Sequence, residues 1–259
     1  MYGAFIGDIA GSRFEFNNRK SKGFELFTDN DSYTDDSVMT IAVAKALHES
    51  KKNGYKDLED QLIYWLHEIG KKYPYCGYGG KFYHWIMDDQ KDPYNSFGNG
   101  AGMRTSYCAH IAESLDEALE LAERCAAVTH DHPEGIKGAK AITACIYLAR
   151  QGKDKEEIRR YVNENFYELY FTLAEIRPYY RFDVTCQGSV PEAIEAFLES
   201  DSFEDCIRNA ISIGGDSDTI AAMAGSIAEA YYGIDEALIK KARTYFDKYL
   251  LGYIDEILR

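Results

Sequence analysis

The sequence predicts an all-α protein, a single domain over residues 1–259. Three observations carry that expectation. Apolar residues recur at helical spacing through most of the chain, caps and prolines fall where helices would start, and no series of alternating strands with hairpin turns is present. No linker, repeat or low-complexity tract divides the 259 residues. The pattern amounts to roughly ten or more helices.

Taken in order, "MYGAFIGDIAGSRFE" reads as a first helix with Gly3, Gly7 and Gly11 on one side. "SVMTIAVAKALHESKK" (37–52) puts Val38, Ile41, Ala42, Ala44 and Ala46 on one broad face and stops at Asn53-Gly54. "SLDEALELAERCAAV" opens with Ser114 and Glu117, a capping box. "DHPEGIKGAKAITACIYLARQG" has Pro133 in its first turn and ends at Gly152. "RFDVTCQGSV" has extended character, and "SVPEAIEAFLES" then pairs Ser189 with Glu192 around Pro191. "SFEDCIRNAISIG" pairs Ser202 with Asp205 and stops at Gly214. "GGDSDTIAAMAGSIAEAYYG" (214–233) is a helix of mostly small residues, and "DEALIKKARTYFDKYLLGYIDEIL" closes the chain with more helix.

Composition narrows the function classes. The chain is 46% hydrophobic and 28% charged, an ordinary globular balance, with a formal net charge of −14. That charge argues against non-specific binding to nucleic acid or an anionic membrane, although a local positive site could still hold an anion. The six cysteines are scattered singly without a C-x-x-C pair, as expected of reduced core thiols rather than a disulfide framework or zinc site. The N-terminus lacks a basic leader region and is too short to span a bilayer, so a cytoplasmic location is expected.

Glycine costs a helix about 1 kcal/mol relative to alanine. Three glycines four apart therefore suggest that another backbone lies against that face, and Ala221, Ala222, Ala224, Gly225 and Ala228 offer a matching surface. Close packing does not explain the acids beside these residues. Asp216 and Asp218 stand at one helix start with Thr219, and Asp35 and Asp36 follow Thr34 at another. Capping of free N–H groups accounts for one carboxylate at each start but leaves the second redundant. If the two starts converge, four carboxylates share a small volume. At ~4 Å each pair repels by about 4 kcal/mol at an effective dielectric near 20. Such a cluster must take up protons or bind cations, and hydroxyls beside carboxylates suit a hard cation such as Mg²⁺.

Two further stretches carry possible ligand chemistry. "FGNGAGMR" is a glycine-rich turn whose N–H groups could face a phosphate, though such loops are often ordinary turns. "THDHP" brings His130 and His132 to a helix start, where Asp131 is an equally good cap.

Together, "GAFIGDIAGSRFE", "TDDSVMT", "FGNGAGMR", "THDHP" and "GGDSDTIAAMAGSIAEAYYG" resemble, in order, the motifs of the ADP-ribosylglycohydrolase family. That family includes dinitrogenase reductase-activating glycohydrolases and ADP-ribosyl-acceptor hydrolases. The resemblance covers nearly the whole chain and implies a compact all-α fold. It also implies two Mg²⁺ ions, or Mn²⁺, held by Thr34, Asp35, Asp36, Asp216, Asp218 and Thr219. Glu15 matches a glutamate that lies beside the metals as a candidate acid/base or gate, with Asp36 and Asp218 as further catalytic candidates. Ser96, Phe97, Gly98, Asn99 and Gly100 match a loop that cradles phosphate and stacks adenine or its ribose, and His130 a histidine at the distal ribose or diphosphate. Arg13 stands where many relatives have proline and Gly102 where many have a larger residue, so a different outer rim is expected. "CQGSVPEAIEAF" also looks like a family segment.

The resemblance implies Mg²⁺-dependent hydrolysis of the C1″ glycosidic bond between ADP-ribose and an acceptor: a protein Arg or Ser, a nucleic-acid base or a small ester. Two alternatives stand beside it: a non-catalytic ADP-ribose-binding protein, and a metal-dependent phosphoesterase acting on a nucleotide or phosphosugar.

Overall fold

Residue patterning sets the helix starts and stops of the computed structural model, which describes residues 1–259. The first half supplies α1 (Tyr2–Ser12), α2 (Asp35–Lys51), α3 (Leu58–Gly70), α4 (Gly80–Met87), the short α5 (Gly100–Met103) and α6 (Ser106–Ile111), and α7 (Leu115–Ala127). The second half supplies α8 (Pro133–Arg150), α9 (Lys155–Asn165), α10 (Leu173–Ile176), α11 (Val190–Leu198), α12 (Phe203–Ser212), α13 (Ser217–Tyr232), α14 (Glu236–Arg243) and α15 (Lys248–Ile257). The chain is 62% helical and has no strand, as the periodicity predicts.

Helix α13 is the hub. Every residue from Ser217 to Ala228 is buried, and the helix packs on α1, α8, α11 and α12. Its closest neighbour is α1, and glycine makes that approach possible. A Cβ on Gly7 would lie 2.1 Å from the Ala221 carbonyl oxygen, and one on Gly11 2.5 Å from the Asp218 Cα. The stripe of glycines therefore sets the distance between the first helix and the start of α13. One contiguous apolar core of 72 residues surrounds this pair and draws on residues from Met1 to Ile257.

Several local expectations are corrected. Helix α2 starts at Asp35, because the Thr34 hydroxyl caps it by accepting from Asp36 N–H at 3.3 Å. Ser114 caps α7, but Glu117 reaches the N–H of Glu113 rather than that of Ser114, so the box is only half formed. Ser189 makes no cap bond on α11; its hydroxyl donates to Asp183 and Thr185 carbonyls. The segment expected to be extended forms one bridge, Thr185 to Gly98, and a three-ten turn at Cys186–Gly188. The closing helical segment breaks in two where Asp247 accepts from Tyr249 and Leu250 N–H and starts a new helix. The cysteines are free thiols, five of them buried.

Candidate active site

The two acid-bearing helix starts converge. Asp8, on α1 and fully buried, receives the Thr34 N–H and hydroxyl and the Ser37 N–H and hydroxyl. This carboxylate anchors the start of α2 from below. With Thr34 capping and Asp8 anchoring, neither Asp35 nor Asp36 is spent on the helix end. The same holds at α13. Asp216 occupies the N-cap position without a cap bond; its Oδ2 accepts instead from Asn99 Nδ2 at 2.6 Å. Gly214 and Gly215, at φ +71° and +77°, make the tight turn into this position. Thr219 on the next turn donates to Asp36 Oδ2 at 3.0 Å, tying the two starts together.

The result is two carboxylate trios that share Asp218. One oxygen each of Asp8, Asp36 and Asp218 lie within 4.8 Å of one another, as do one each of Glu15, Asp216 and Asp218. Two oxygens here, Asp36 Oδ1 and Asp218 Oδ1, are buried without any hydrogen bond. A buried acceptor without a partner carries a cost of about 1–3 kcal/mol, more when charged, so something else must satisfy it. Protons are one answer. Burial and neighbouring carboxylates hold Asp35, Asp36 and Asp218 well above the usual carboxylate range. Burial pushes Asp8 up to about 6 despite its hydrogen bonds, and burial with Asp216 and Asp8 pushes Glu15 to about 7. A hard cation is the other answer. The donor set is all oxygen, with hydroxyls beside carboxylates, so these residues fit a divalent ion of the Mg²⁺ type.

Around the acids lies a cavity of about 370 Å³, within the size range of small-molecule sites. It is lined by Glu15, Asp35, Asp36, Asp216, Asp218 and Thr219, by Ser96, Gly98, Asn99, Gly100 and His130, and by residues the sequence reading did not name. Those are Gly77 and Gly79 before α4, Gly80, Lys81 and Phe82 in its first turn, and Tyr94, Met103, Arg104, Phe182 and Val184, together with Asp8 beneath the lining. Gly77, at φ +107° and with room for a Cβ only 3.1 Å from Asp35 Oδ1, gave the one available signal: "CGYGG" is a second glycine-rich turn.

The Ser96–Gly100 loop is braced on the 182–189 segment. Asn99 N–H donates to the Val184 carbonyl and Cys186 N–H to that of Phe97, while Asn99 Nδ2 also donates to Ser189 Oγ. Gly98 N–H is taken by Ser96 Oγ, while the N–H groups of Ser96, Phe97 and Gly100 have no protein partner. Phe97 and Thr34 lie outside the lining. The Phe97 ring is 42% exposed and sits 5.1 Å from His132; Thr34 stands one layer back on Asp8. His132, not Asp131, caps α8 through Nδ1, and Asp131 receives the Asn95 N–H. Neither expected rim difference reaches the cavity. Arg13 pairs with Asp31, and Gly102 faces Met223 and Ile142 in the core. Asn18 ties the backbone at Glu15 to the turn before α13: its Nδ2 donates to the Glu15 and Gly215 carbonyls, and its Oδ1 receives the Gly215 N–H.

The ADP-ribosylglycohydrolase family model matches residues 1–250. The chain belongs to the ADP-ribosylglycohydrolase family. It is 26% identical to ADP-ribosylhydrolase ARH3 of Mus musculus, across 91% of this chain and 83% of that one. It is 25% identical to an ADP-ribosylarginine hydrolase of Pseudomonas putida, across 90% and 70%. A solved structure titled "ADP-ribosylglycohydrolase-related protein complex" shares the fold at TM-score 0.66 and 21% identity, covering 99% of this chain and 95% of its own. Membership places the chain among hydrolases of glycosidic bonds. No helix is long and apolar enough to cross a membrane.

Proposed function

We propose that this ADP-ribosylglycohydrolase removes ADP-ribose from a modified acceptor, a protein side chain first of all, by metal-dependent hydrolysis of the C1″ glycosidic bond. The observation that carries this reading is the pair of carboxylate trios joined at Asp218, with its two partnerless oxygens, inside a ligand-sized cavity. Two divalent cations, Mg²⁺ or Mn²⁺, held by Asp35, Asp36, Asp216 and Asp218 with Thr34 and Thr219 beside them, would supply Lewis acidity toward the distal ribose hydroxyls.

The chain's own residues do the rest. Glu15 is half-buried and lines the cavity beside the Asp216 and Asp218 carboxylates. It is suited to take the proton of the attacking water and return one to the departing acceptor. The surrounding carboxylates stabilise the oxocarbenium character that develops at C1″. Asn99 fixes the Asp216 carboxylate, Gly98 leaves space before His130, and Ser96, Gly100 and His130 offer the diphosphate and ribose their polar contacts. Phe97, on the rim, is available to stack the adenine. The Pseudomonas relative's name supports an ADP-ribosylated arginine as one acceptor.

Product analysis tests the reading. Incubation with ADP-ribosylated peptide and Mg²⁺ should yield free ADP-ribose and the unmodified acceptor. Release of phosphate would identify a phosphoesterase, and saturable binding without turnover a non-catalytic reader.

A further inference from the structure

Arg104 ends the motif "FGNGAGMR" and is among the largest fully buried side chains, 1% exposed. It forms no ion pair with any carboxylate. Its Nη2 donates to the carbonyls of Cys125 and Ala126 at 3.1 and 3.4 Å, and to Thr129 Oγ1 at 2.7 Å. The two carbonyls belong to the last turn of α7, the negative end of that helix, which explains how a guanidinium can sit there without a carboxylate. It leaves open why Thr129 is included.

Thr129 Oγ1 has a second partner, His130 Nδ1, also at 2.7 Å. Arginine has donors only, so the hydroxyl accepts from Arg104; its own proton has no acceptor but Nδ1 and goes there. Nδ1 is then the acceptor, and the ring proton resides on Nε2. A doubly protonated ring would aim Nδ1–H at the same hydroxyl and strand the threonine proton in the interior. Burial and the Arg104 charge both hold His130 well below its ordinary value. Nε2 has no partner in the protein, and the ground before it is kept clear by glycine. A Cβ at position 98 would lie 3.5 Å from Nε2 and one at position 100 3.3 Å.

We propose that Arg104 and Thr129 are positioning residues that lock His130 as a neutral imidazole with its proton on Nε2, presented to the cavity as a hydrogen-bond donor. Such a donor selects an oxygen acceptor on the ligand. On the functional reading above, on which this last clause rests, that is a phosphate or ribose oxygen of ADP-ribose. The opposite tautomer would present a lone pair to the same oxygen and repel it.

Side-chain ¹⁵N–¹H spectra of the ligand-free protein at neutral pH test the lock, with the His130 signals assigned by their loss in His130→Gln. The wild type should show Nε2 protonated and Nδ1 bare. Thr129→Val should move the Nδ1 resonance toward that of a ring nitrogen without a hydrogen bond and weaken ADP-ribose binding about tenfold, the loss of one good hydrogen bond; Thr129→Ser should restore both. A wild-type ring protonated at Nδ1, or an unchanged Nδ1 resonance in a folded Thr129→Val, overturns the proposal. If Thr129→Val fails to fold, the wild-type and Thr129→Ser spectra decide it on the same criterion. Because the tautomer is read without ligand, failure to bind ADP-ribose counts against the functional reading and not against the lock.

Discussion

Asp36 Oδ1 and Asp218 Oδ1 are buried acceptors that the fold leaves without donors. They mark where the protein spends stability for chemistry. Replacing Asp218 by Asn removes a repelling charge and keeps the shape. In chelator, Asp218→Asn should therefore be more stable than the wild type, by about 1 kcal/mol or more, equivalent to ~2–4 °C in Tm. Thermal melts with added Mg²⁺ should stabilise the wild type strongly and the variant little. Asp36, Asp216 and Asp218 are legible in the sequence because a hydroxyl and two acids recur at two helix starts. Asp8 is not, because a lone acid in a glycine-rich helix repeats nothing. Its meaning depends on Thr34 and Ser37 arriving 26 and 29 residues later. Neither helix start uses an aspartate cap: Thr34 and Asp8 satisfy the start of α2, and Asn99 claims Asp216.

At the scale of elements, the contact between α1 and α13 sets the geometry of the acids. Four-residue glycine spacing on one helix and small residues on the other were enough to predict it. Gly11 faces the backbone of Asp218 directly. Gly11→Ala should cost about 1–3 kcal/mol of stability as overpacking. By pushing Asp218 away from Asp36 it should also weaken Mg²⁺ binding in the molecules that still fold, as cation titration of the melting temperature would register. An alanine at Gly11 that leaves both quantities unchanged would show that the close approach is dispensable. The 182–189 segment was less legible. Its only regular element is the three-ten turn Cys186–Gly188, and its role as a brace comes from the bonds that Val184, Cys186 and Ser189 make with Asn99 and Phe97, which no periodicity encodes.

Across the whole molecule, helix content and the burial of one continuous core follow from local patterns, whereas the cavity follows from which helix ends meet. The shared charge of those ends has a measurable signature. Asp8 and Glu15 are raised to about 6 and about 7, above the value of about 4 for an unfolded carboxyl. The folded chain thus holds protons that the unfolded chain has released. Stability from this cluster is fully present below about pH 4 and is lost as pH rises to about 7. Without a divalent cation, melting temperature should fall between pH 5 and 7.5. With Mg²⁺ the trend should flatten or reverse, because the cation replaces the protons. A metal-free protein whose stability rises over that interval would mean that the acids are not clustered as described.

The most direct measurement is release of ADP-ribose from arginine-, serine- and nucleic-acid-linked ADP-ribose, with Mg²⁺ or with chelator, by the wild type and by Asp36→Asn. The account predicts free ADP-ribose from at least one linkage, abolished by chelator, restored by Mg²⁺ and absent in the variant. Wild-type rates in chelator, or from Asp36→Asn with Mg²⁺, would contradict it.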